Sequence, residues 1–294
     1  MTQTKLYALT VNLILIVICA LSLFPLLMTV MISITDSREL SEFGYRLFPA
    51  AFSWDAYIYL FKVPKDLING YVNSILITGI GTLLNLLITS MVAYSLSRRD
   101  FKYRGFVSGF IFLTMIFNGG LVPLYILIVK YLEWKNTLTS IIVPGLALPF
   151  NIFLMRVLFQ DVPPALTEAA KIDGLSDWKT FLKIIIPLSK PALATLALIS
   201  ALGYWNEAFA PILYIDKIDK YPIQLVLNNI VSAVNFIKSG NTMPGSIQAI
   251  DPASVPSDSI MFAMMVVATL PMLFLFTFLQ KYFVKGLTVG AIKG

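Results

Sequence analysis

The sequence contains no histidine and a single cysteine, Cys19. Histidine is the commonest general base and transition-metal ligand in proteins, so the usual residue for both kinds of chemistry is missing. Cys19 can form no disulfide within the chain, and its place in an apolar run predicts a small side chain that faces lipid or the protein core. We therefore expect this chain to hold no metal and no cofactor.

Charged residues are also scarce. They make up 13% of the 294 residues, while hydrophobic residues make up 57%; ordinary globular domains are about 25% charged. A soluble protein of this length does not need so much apolar surface to fill one core, so the excess indicates contact with lipid. The net charge of +6 is typical of cytoplasmic loops rich in Lys and Arg and does not indicate nucleic-acid binding.

Long stretches without charge predict six membrane spans. Five gaps between charged residues are long enough for a helix of about 20 residues, which crosses the bilayer core. A sixth is long enough only if Glu207 lies within it. Lipid offers no partner to backbone groups, so the spans are expected to be helices, and the first is expected to be retained because it exceeds a signal-peptide core. The predicted spans are 8–33, 71–96, 106–129, 137–158, 191–214 and 260–281. The expected fold is all-α, a single polytopic transmembrane domain over 1–294.

An even number of spans places both termini on one side of the membrane. If that side is the cytoplasm, the inner segments hold 13 of the 22 basic residues and 5 of the 16 acidic residues. The positive-inside rule favours this orientation. The run SRRDFKYR at 97–104 contributes most, and we interpret it as a charge run that sets topology. The stretches at about 35–70 and 215–259 are then extracytoplasmic loops, and 282–294 is a cytoplasmic tail.

The cytoplasmic segment at about 161–190 has the pattern of a helix–turn–helix. Asp161 is a predicted N-cap of the first helix. Gly174 lies where a helix commonly ends in a left-handed residue. Ser176 is placed to cap a second amphipathic helix, which Pro187 is expected to stop. A compact, exposed, amphipathic element of this kind fits a groove of another protein.

This segment resembles the EAA loop of the permease subunits of binding-protein-dependent ABC importers. The loop has the pattern EAA–x3–G–x9–I–x–L–P, and the chain has Glu168-Ala169-Ala170, Gly174 and Ile184-x-Ile186-Pro187, with isoleucine in place of the usual leucine. The likeness covers about 70–294 and is clearest at 149–174, 188–215 and 285–294. Within the family the chain is most similar to carbohydrate permeases of the maltose-transporter class with the type I fold, in their complex-oligosaccharide branch.

The resemblance implies that the segment is a coupling helix docked in a cleft of a cytoplasmic ATPase. Gly174 would make its turn. The residues on or beside the docking face would be Glu168, Ala169, Ala170 and Asp173. The end of the tail would reach between two ATPase subunits through Gly290, Lys293 and Gly294; the alternative is a frayed, basic C-terminus.

The resemblance also implies the partners of the chain. They are a sister permease in a heterodimer, two cytoplasmic ATPase subunits and an extracytoplasmic solute-binding protein, in a bacterial cytoplasmic (inner) membrane. The sequence lacks the phosphate loop G-x-x-x-x-G-K-[ST], so ATP and Mg²⁺ are expected on the ATPase, and this chain is not expected to be an enzyme. The expected substrate is an oligosaccharide.

Polar residues inside the spans are candidates for the sugar path, because sugars need hydrogen-bonding groups and aromatic faces. The candidates are Asn85, Asn118, Tyr204, Trp205, Asn206 and Glu207. The alternative for each is a role in helix packing or, for the aromatics, at the membrane interface. An acid at membrane depth is rare and usually functional, although Glu207 has a place at the outer interface as its alternative. The resemblance leaves open that the sister permease holds the sugar almost alone.

Other functions remain as alternatives. One is a permease for a solute that is not a sugar. Another is an ion-coupled secondary transporter, which would need buried acids or histidines that these spans hardly offer. A passive channel or a membrane anchor would not need the coupling loop.

Overall fold

The structure is a computed structural model that describes residues 2–62, 64–238 and 257–291. Its regular elements over these residues are all helices, and the one strand-like feature is an isolated antiparallel bridge between Thr35 and Phe52. The predicted all-α class is therefore confirmed.

Within the described ranges, the segments that join the helices are eleven residues long or shorter. In chain order they are α1 (Thr2–Ser33), α2 (Ser37–Phe43), α3 (Asp55–Leu60), α4 (Pro64–Ser97), α5 (Arg104–Ile116), α6 (Leu121–Tyr131), α7 (Thr139–Gly145), α8 (Pro149–Gln160), α9 (Pro164–Ile172), α10 (Asp177–Leu188), α11 (Lys190–Asn206), α12 (Phe209–Tyr214), α13 (Ile223–Lys238) and α14 (Ser257–Ala291). A short 3₁₀ turn at Ile218–Lys220 precedes α13.

Three of these helices are long and apolar enough to cross a membrane unbroken, at Tyr7–Ser33, Lys65–Ser97 and Asp258–Thr277. Three bent pairs pass the same test: α5 with α6, α7 with α8, and α10 with α11. The count reaches six when each pair is one span. The sequence prediction of six spans fits this count. It did not predict the breaks that the structure has within 106–129, 137–158 and 191–214.

Glycine and proline explain the first two breaks. The chain turns by 107° between α5 and α6, where Gly120 has a φ of +88°, a conformation open to glycine at little cost. Between α7 and α8 the bend is 46°, and Pro149 opens the second helix at a position where its missing N–H costs nothing.

The predicted span at 191–214 is broken near its outer end. Helix α11 ends at Asn206, and Glu207 is extended with φ −67° and ψ 109°. At its other end α11 meets α10 at an angle of 82° across Ser189. Two helices at that angle do not both follow the membrane normal, so α10 lies apart from the span formed by α11.

The chain divides into two compact units. One comprises residues 1–67 and 226–270, and the other 68–225 and 271–294. In the first unit, the Glu39 carboxylate accepts hydrogen bonds from the backbone N–H groups of Ala50 and Ala51 at 2.7 and 2.6 Å. The Ser259 hydroxyl donates to the Thr35 carbonyl at 2.9 Å. These bonds order the polar segment that follows α1.

The second unit has two buried apolar clusters. One comprises Ala93, Tyr94, Met155, Phe159, Phe181, Ile185 and Leu196. The other comprises Ile77, Ile141, Ile142 and Ile215, with Tyr204 packed against it. The clusters bring α4 against α8, α10 and α11. Helix α4 therefore packs against four other helices of this unit, α7, α8, α10 and α11.

Tyr204 fits against α4 only because residue 81 is glycine. A β-carbon on Gly81 would lie 2.7 Å from the Tyr204 ring, whereas one on Gly79 would meet no atom within 4 Å. Gly81→Ala should therefore lower the free energy of unfolding, since overpacking costs about 1–3 kcal/mol. Gly79→Ala, in the same helix, should be neutral or raise it by roughly 0.5–1 kcal/mol, because alanine favours the helix. Thermal unfolding in detergent compares the two variants, and equal melting temperatures would contradict the close contact.

Candidate functional site

A sharp turn between α9 and α10 forms the centre of the predicted coupling segment. Gly174 has a φ of +75°. Its N–H donates to the Lys171 carbonyl at 3.0 Å, and the N–H of Leu175 donates to the Ala170 carbonyl at 2.9 Å. This pair of bonds is the Schellman arrangement, in which a left-handed residue lets the last carbonyls of a helix find donors. The predicted helix–turn–helix with glycine at its turn is present.

The predicted docking residues divide between two faces of α9. Ala170 is buried, with 2% of its surface exposed, whereas Glu168, Ala169 and Asp173 are exposed. Ile172 is 87% exposed, although such apolar side chains are usually buried. The element therefore presents a mixed acidic and apolar surface that no described part of this chain covers.

The two ends of the segment differ from the sequence prediction. Asp161 is not an N-cap, because it follows the last residue of α8 and α9 begins at Pro164 without a side-chain cap. Ser176 does cap α10, its hydroxyl accepting from the Lys179 N–H at 3.4 Å. Pro187 does not stop α10, which runs to Leu188. The turn at Phe181–Ile185 is a π-helix, whose wider hydrogen-bond spacing precedes the residue that lacks an N–H.

A network of charged side chains, which sequence analysis missed, joins the 97–104 loop to both helices of this segment. The Arg98 guanidinium donates to both carboxylate oxygens of Asp100 at 2.9 and 2.6 Å. It also forms an ion pair with Asp177, in the first turn of α10. Asp100 in turn accepts from the Lys171 ammonium at 2.5 Å. The sequence shows these charges but not their pairing, because the residues are as many as 79 positions apart.

These contacts shift the ionisation of the network. The hydrogen bonds from Arg98 and then Lys171 hold the pKa of the Asp100 carboxyl well below its usual range. The hydrogen bond to Asp100, together with the one to Asp177, raises the pKa of Arg98 above its ordinary value. A depressed carboxyl pKa keeps the ionised form present at neutral pH, and the attraction is lost only in acid, as pH falls through the lowered pKa.

The first of the path candidates, Asn85, is fully buried. Its amide nitrogen donates to the carbonyls of Gly145 and Leu146, both at 2.9 Å, and its oxygen accepts from the Ser200 hydroxyl at 2.7 Å. Three partners use most of the hydrogen-bonding capacity of one amide side chain. In this structure Asn85 joins α4 to the α7–α8 break and to α11.

The aromatic candidates on α11 also pack inside the unit. The Tyr204 hydroxyl donates to the Ile142 carbonyl at 2.9 Å. Trp205 is 4% exposed, and its ring lies 6.4 Å from that of Tyr71, measured between centroids. Both rings therefore stabilise the packing of α11 in the described structure.

The remaining three candidates lie at helix breaks. The Glu207 carboxylate accepts from the N–H groups of Phe209 and Ala210, both at 2.9 Å, and so caps α12. The Asn118 side chain accepts from the Gly120 N–H at 2.9 Å, in the α5–α6 break. Asn206, at the end of α11, is exposed.

The predicted ATPase-contacting tail lies at the edge of the described structure. Helix α14 runs to Ala291, so the backbone of Gly290 is helical. Lys293 and Gly294 lie outside the described residues. As for metals, no group of three or more His, Cys, Asp or Glu in the described ranges is placed to hold an ion.

Comparison with known proteins places these features in a family. Residues 85–289, more than half of the chain, match the family described as "Binding-protein-dependent transport system inner membrane component". Protein LplC of Bacillus subtilis (strain 168) is 38% identical over 94% of this chain and 90% of its own length. The polygalacturonan/rhamnogalacturonan transport system permease protein YtcP of the same organism is 37% identical over 94% of this chain and 93% of its own.

A solved structure shares the fold. A chain of a bacterial ABC transporter involved in the import of the acidic polysaccharide alginate superposes with a TM-score of 0.80 and 26% identity, over 95% of this chain and 97% of that one. The predicted resemblance to ABC importer permeases and the predicted permease fold are confirmed. This chain belongs to the binding-protein-dependent transport system inner membrane components, the multi-pass permease subunits of ABC transporters.

Proposed function

We propose that this chain forms half of the translocation pathway of an ABC importer for oligosaccharides and takes its driving force from a separate ATPase. The observation that carries the proposal is the exposed coupling element of α9 and α10, whose turn is fixed by Gly174 at a φ of +75°. The exposed face of this element, with Ile172 beside acidic side chains, is a suitable surface for a partner. The sequence has no phosphate loop, which supports placing ATP and Mg²⁺ on that partner.

The relatives support the proposed substrate class, and a solved complex of an alginate ABC transporter with a periplasmic protein supports a solute-binding partner. The relatives include the permeases named for polygalacturonan/rhamnogalacturonan transport and for arabinooligosaccharides, and the alginate importer. Their shared chemistry is a chain of sugar units, which is acidic in alginate and in the galacturonans and neutral in the arabinooligosaccharides. We accordingly assign this chain a sister permease in a heterodimer, two ATPase subunits and an extracytoplasmic solute-binding protein. The tail residues Gly290, Lys293 and Gly294 are proposed contacts of the ATPase pair.

Fewer residues are proposed to contact sugar than the six that the sequence suggested. Asn206 and Asn118 are the two candidates that are exposed, and we propose that Asn206 contacts sugar at the outer end of α11. The other four, Asn85, Tyr204, Trp205 and Glu207, stabilise the helices around the path through their contacts with neighbouring helices. We call these four residues the frame.

The first prediction tests coupling. Gly174→Val should abolish most sugar uptake by the assembled transporter and weaken its association with the ATPase, because a left-handed β-branched residue costs roughly 1–2 kcal/mol or more and opens the turn. Gly174→Asn is the matched control, since asparagine adopts left-handed conformations readily and should retain most activity. Co-purification of the ATPase and uptake per transporter are measured together. Normal coupling in the valine variant would contradict the role of the element.

The second prediction distinguishes a residue that contacts sugar from one that belongs to the frame. Asn206→Ala should change uptake of some oligosaccharide lengths more than others, up to roughly tenfold, because a lost sugar hydrogen bond costs about 0.5–1.5 kcal/mol. Asn85→Ala should instead lower thermal stability, by about 2 kcal/mol if each of its three bonds contributes the roughly 0.6 kcal/mol measured for bonds between membrane helices. Its uptake should fall equally for all lengths, in proportion to protein level. Uniform loss in Asn206→Ala would assign that residue to the frame as well.

The third prediction concerns topology, for which we propose that both termini and the coupling element are cytoplasmic. Single cysteines at two exposed serines, Ser41→Cys in α2 and Ser176→Cys before α10, are compared in a Cys19→Ser background. A membrane-impermeant maleimide should label position 41 in intact cells and position 176 only after permeabilisation. Labelling of position 176 in intact cells would reverse the orientation.

A further inference from the structure

The loop after α4 carries a second role besides its charge. Arg98 lies one residue beyond the end of α4, and its side chain is 19% exposed. Its guanidinium is shared between Asp100 in the loop and Asp177 in α10. A charge run that only set topology would need positive charge in the loop and no particular partner. The pairing of Arg98 with two acids is a more specific feature.

Both helices of the coupling element contact the 97–104 loop, α10 through the Arg98–Asp177 pair and α9 through the Lys171–Asp100 pair. The Lys171 ammonium of α9 contacts the same Asp100 carboxylate that Arg98 holds, at 2.5 Å. The Arg98–Asp177 pair holds the N-terminal turn of α10, where an acid is also favoured by the helix dipole. A planar guanidinium with five donors can bond two carboxylates at once, which a lysine ammonium does with less directional control.

Aromatic rings also join α10 to the end of α4. Trp178 lies 5.6 Å from Phe181 between ring centroids, and Phe181 stacks on Tyr94 of α4 at 5.1 Å. The Arg98 guanidinium carbon lies 5.8 Å from the centre of the Tyr94 ring. The coupling element is therefore joined to the end of α4 in two ways. One is the stack of aromatic rings, and the other is the pairing of the Arg98 guanidinium with Asp100 and Asp177, which we call the fork.

Helix α4 is suited to carry a displacement inward. It runs for 34 residues without a break, about 50 Å at 1.5 Å per residue. Three of the other apolar elements are bent pairs. Within α4, 13 residues before Arg98, Asn85 bonds the α7–α8 break and α11. A movement at the Arg98 end reaches these helices through one rigid element.

We propose that Arg98 is a positioning residue that makes the coupling element and α4 move as one body when the ATPase moves. The inference rests on the proposed function of the α9–α10 element. Arg98 lies outside that element, in the loop after α4, and transfers the motion of the element to the membrane helices. The fork fixes the position of α10, and the aromatic stack supplies attraction with little directional control.

The test measures the distance between α4 and α10 in the complete transporter with its ATPase. Spin labels are placed at Ser95 and Lys183, both exposed, in a Cys19→Ser background, and distances are recorded without nucleotide and with ATP and vanadate. With Arg98 present the two distance distributions should coincide. In Arg98→Gln the fraction of transporters with a longer α4–α10 distance should rise about fivefold, the change expected from losing a partly exposed ion pair.

Comparison variants distinguish the fork from a general loss of structure. Asp177→Asn should reproduce the effect of Arg98→Gln, and the double variant should be no worse than either, because both remove the same link. In Arg98→Lys the fraction of transporters with a longer α4–α10 distance should lie between those of the unaltered protein and Arg98→Gln. Asp161→Asn, an exposed acid in the same segment without a bond to Arg98, should behave as the unaltered protein. Unchanged distances in Arg98→Gln and Asp177→Asn, with the ATPase bound, would overturn the inference and leave the proposed function intact. Failure of the ATPase to bind the unaltered chain would instead overturn the proposed function.

Discussion

A backbone amide inside a bilayer has no water to bond with, so every break in a membrane helix requires a partner from elsewhere in the protein. The three breaks within the apolar part of this chain obey this constraint in the same way. Asn85 supplies donors to the free carbonyls between α7 and α8, Glu207 accepts from the first N–H groups of α12, and Asn118 accepts from Gly120. These three polar side chains are thus placed where the backbone needs them.

The same constraint explains which features the sequence could predict. Length, scarcity of charge and the charge-free gaps predicted the helical class and the approximate spans, because these depend on total apolar length. Gly174 predicted the turn of the coupling element, because few residues other than glycine adopt its conformation readily. Two breaks were missed because a glycine or proline in an apolar run is compatible with both a continuous and a broken membrane helix. The third, after Asn206, contains neither residue.

The path candidates show the limit of sequence patterns most clearly. An asparagine or glutamate in an apolar stretch looks the same whether it contacts a substrate or completes a helix end. Asn85 and Glu207 satisfy backbone groups in this structure, while Asn206 remains exposed. The difference depends on which helices are neighbours, and a single sequence does not contain that information. Tyr204 adds the reciprocal case, since its place depends on Gly81, more than a hundred residues earlier.

On the cytoplasmic side, charged side chains hold helices in position, as polar side chains do within the spans. Outside the hydrocarbon, water satisfies the backbone, so ion pairs are free to set the position of one helix against another at modest cost. Arg98, just beyond α4, pairs with Asp177 of α10 and with Asp100, which in turn pairs with Lys171 of α9. A segment that must move with a partner protein while attached to a membrane helix needs a connection that is directional yet reversible. An Arg–carboxylate fork at the water interface has both properties, whereas a buried apolar contact alone has little direction.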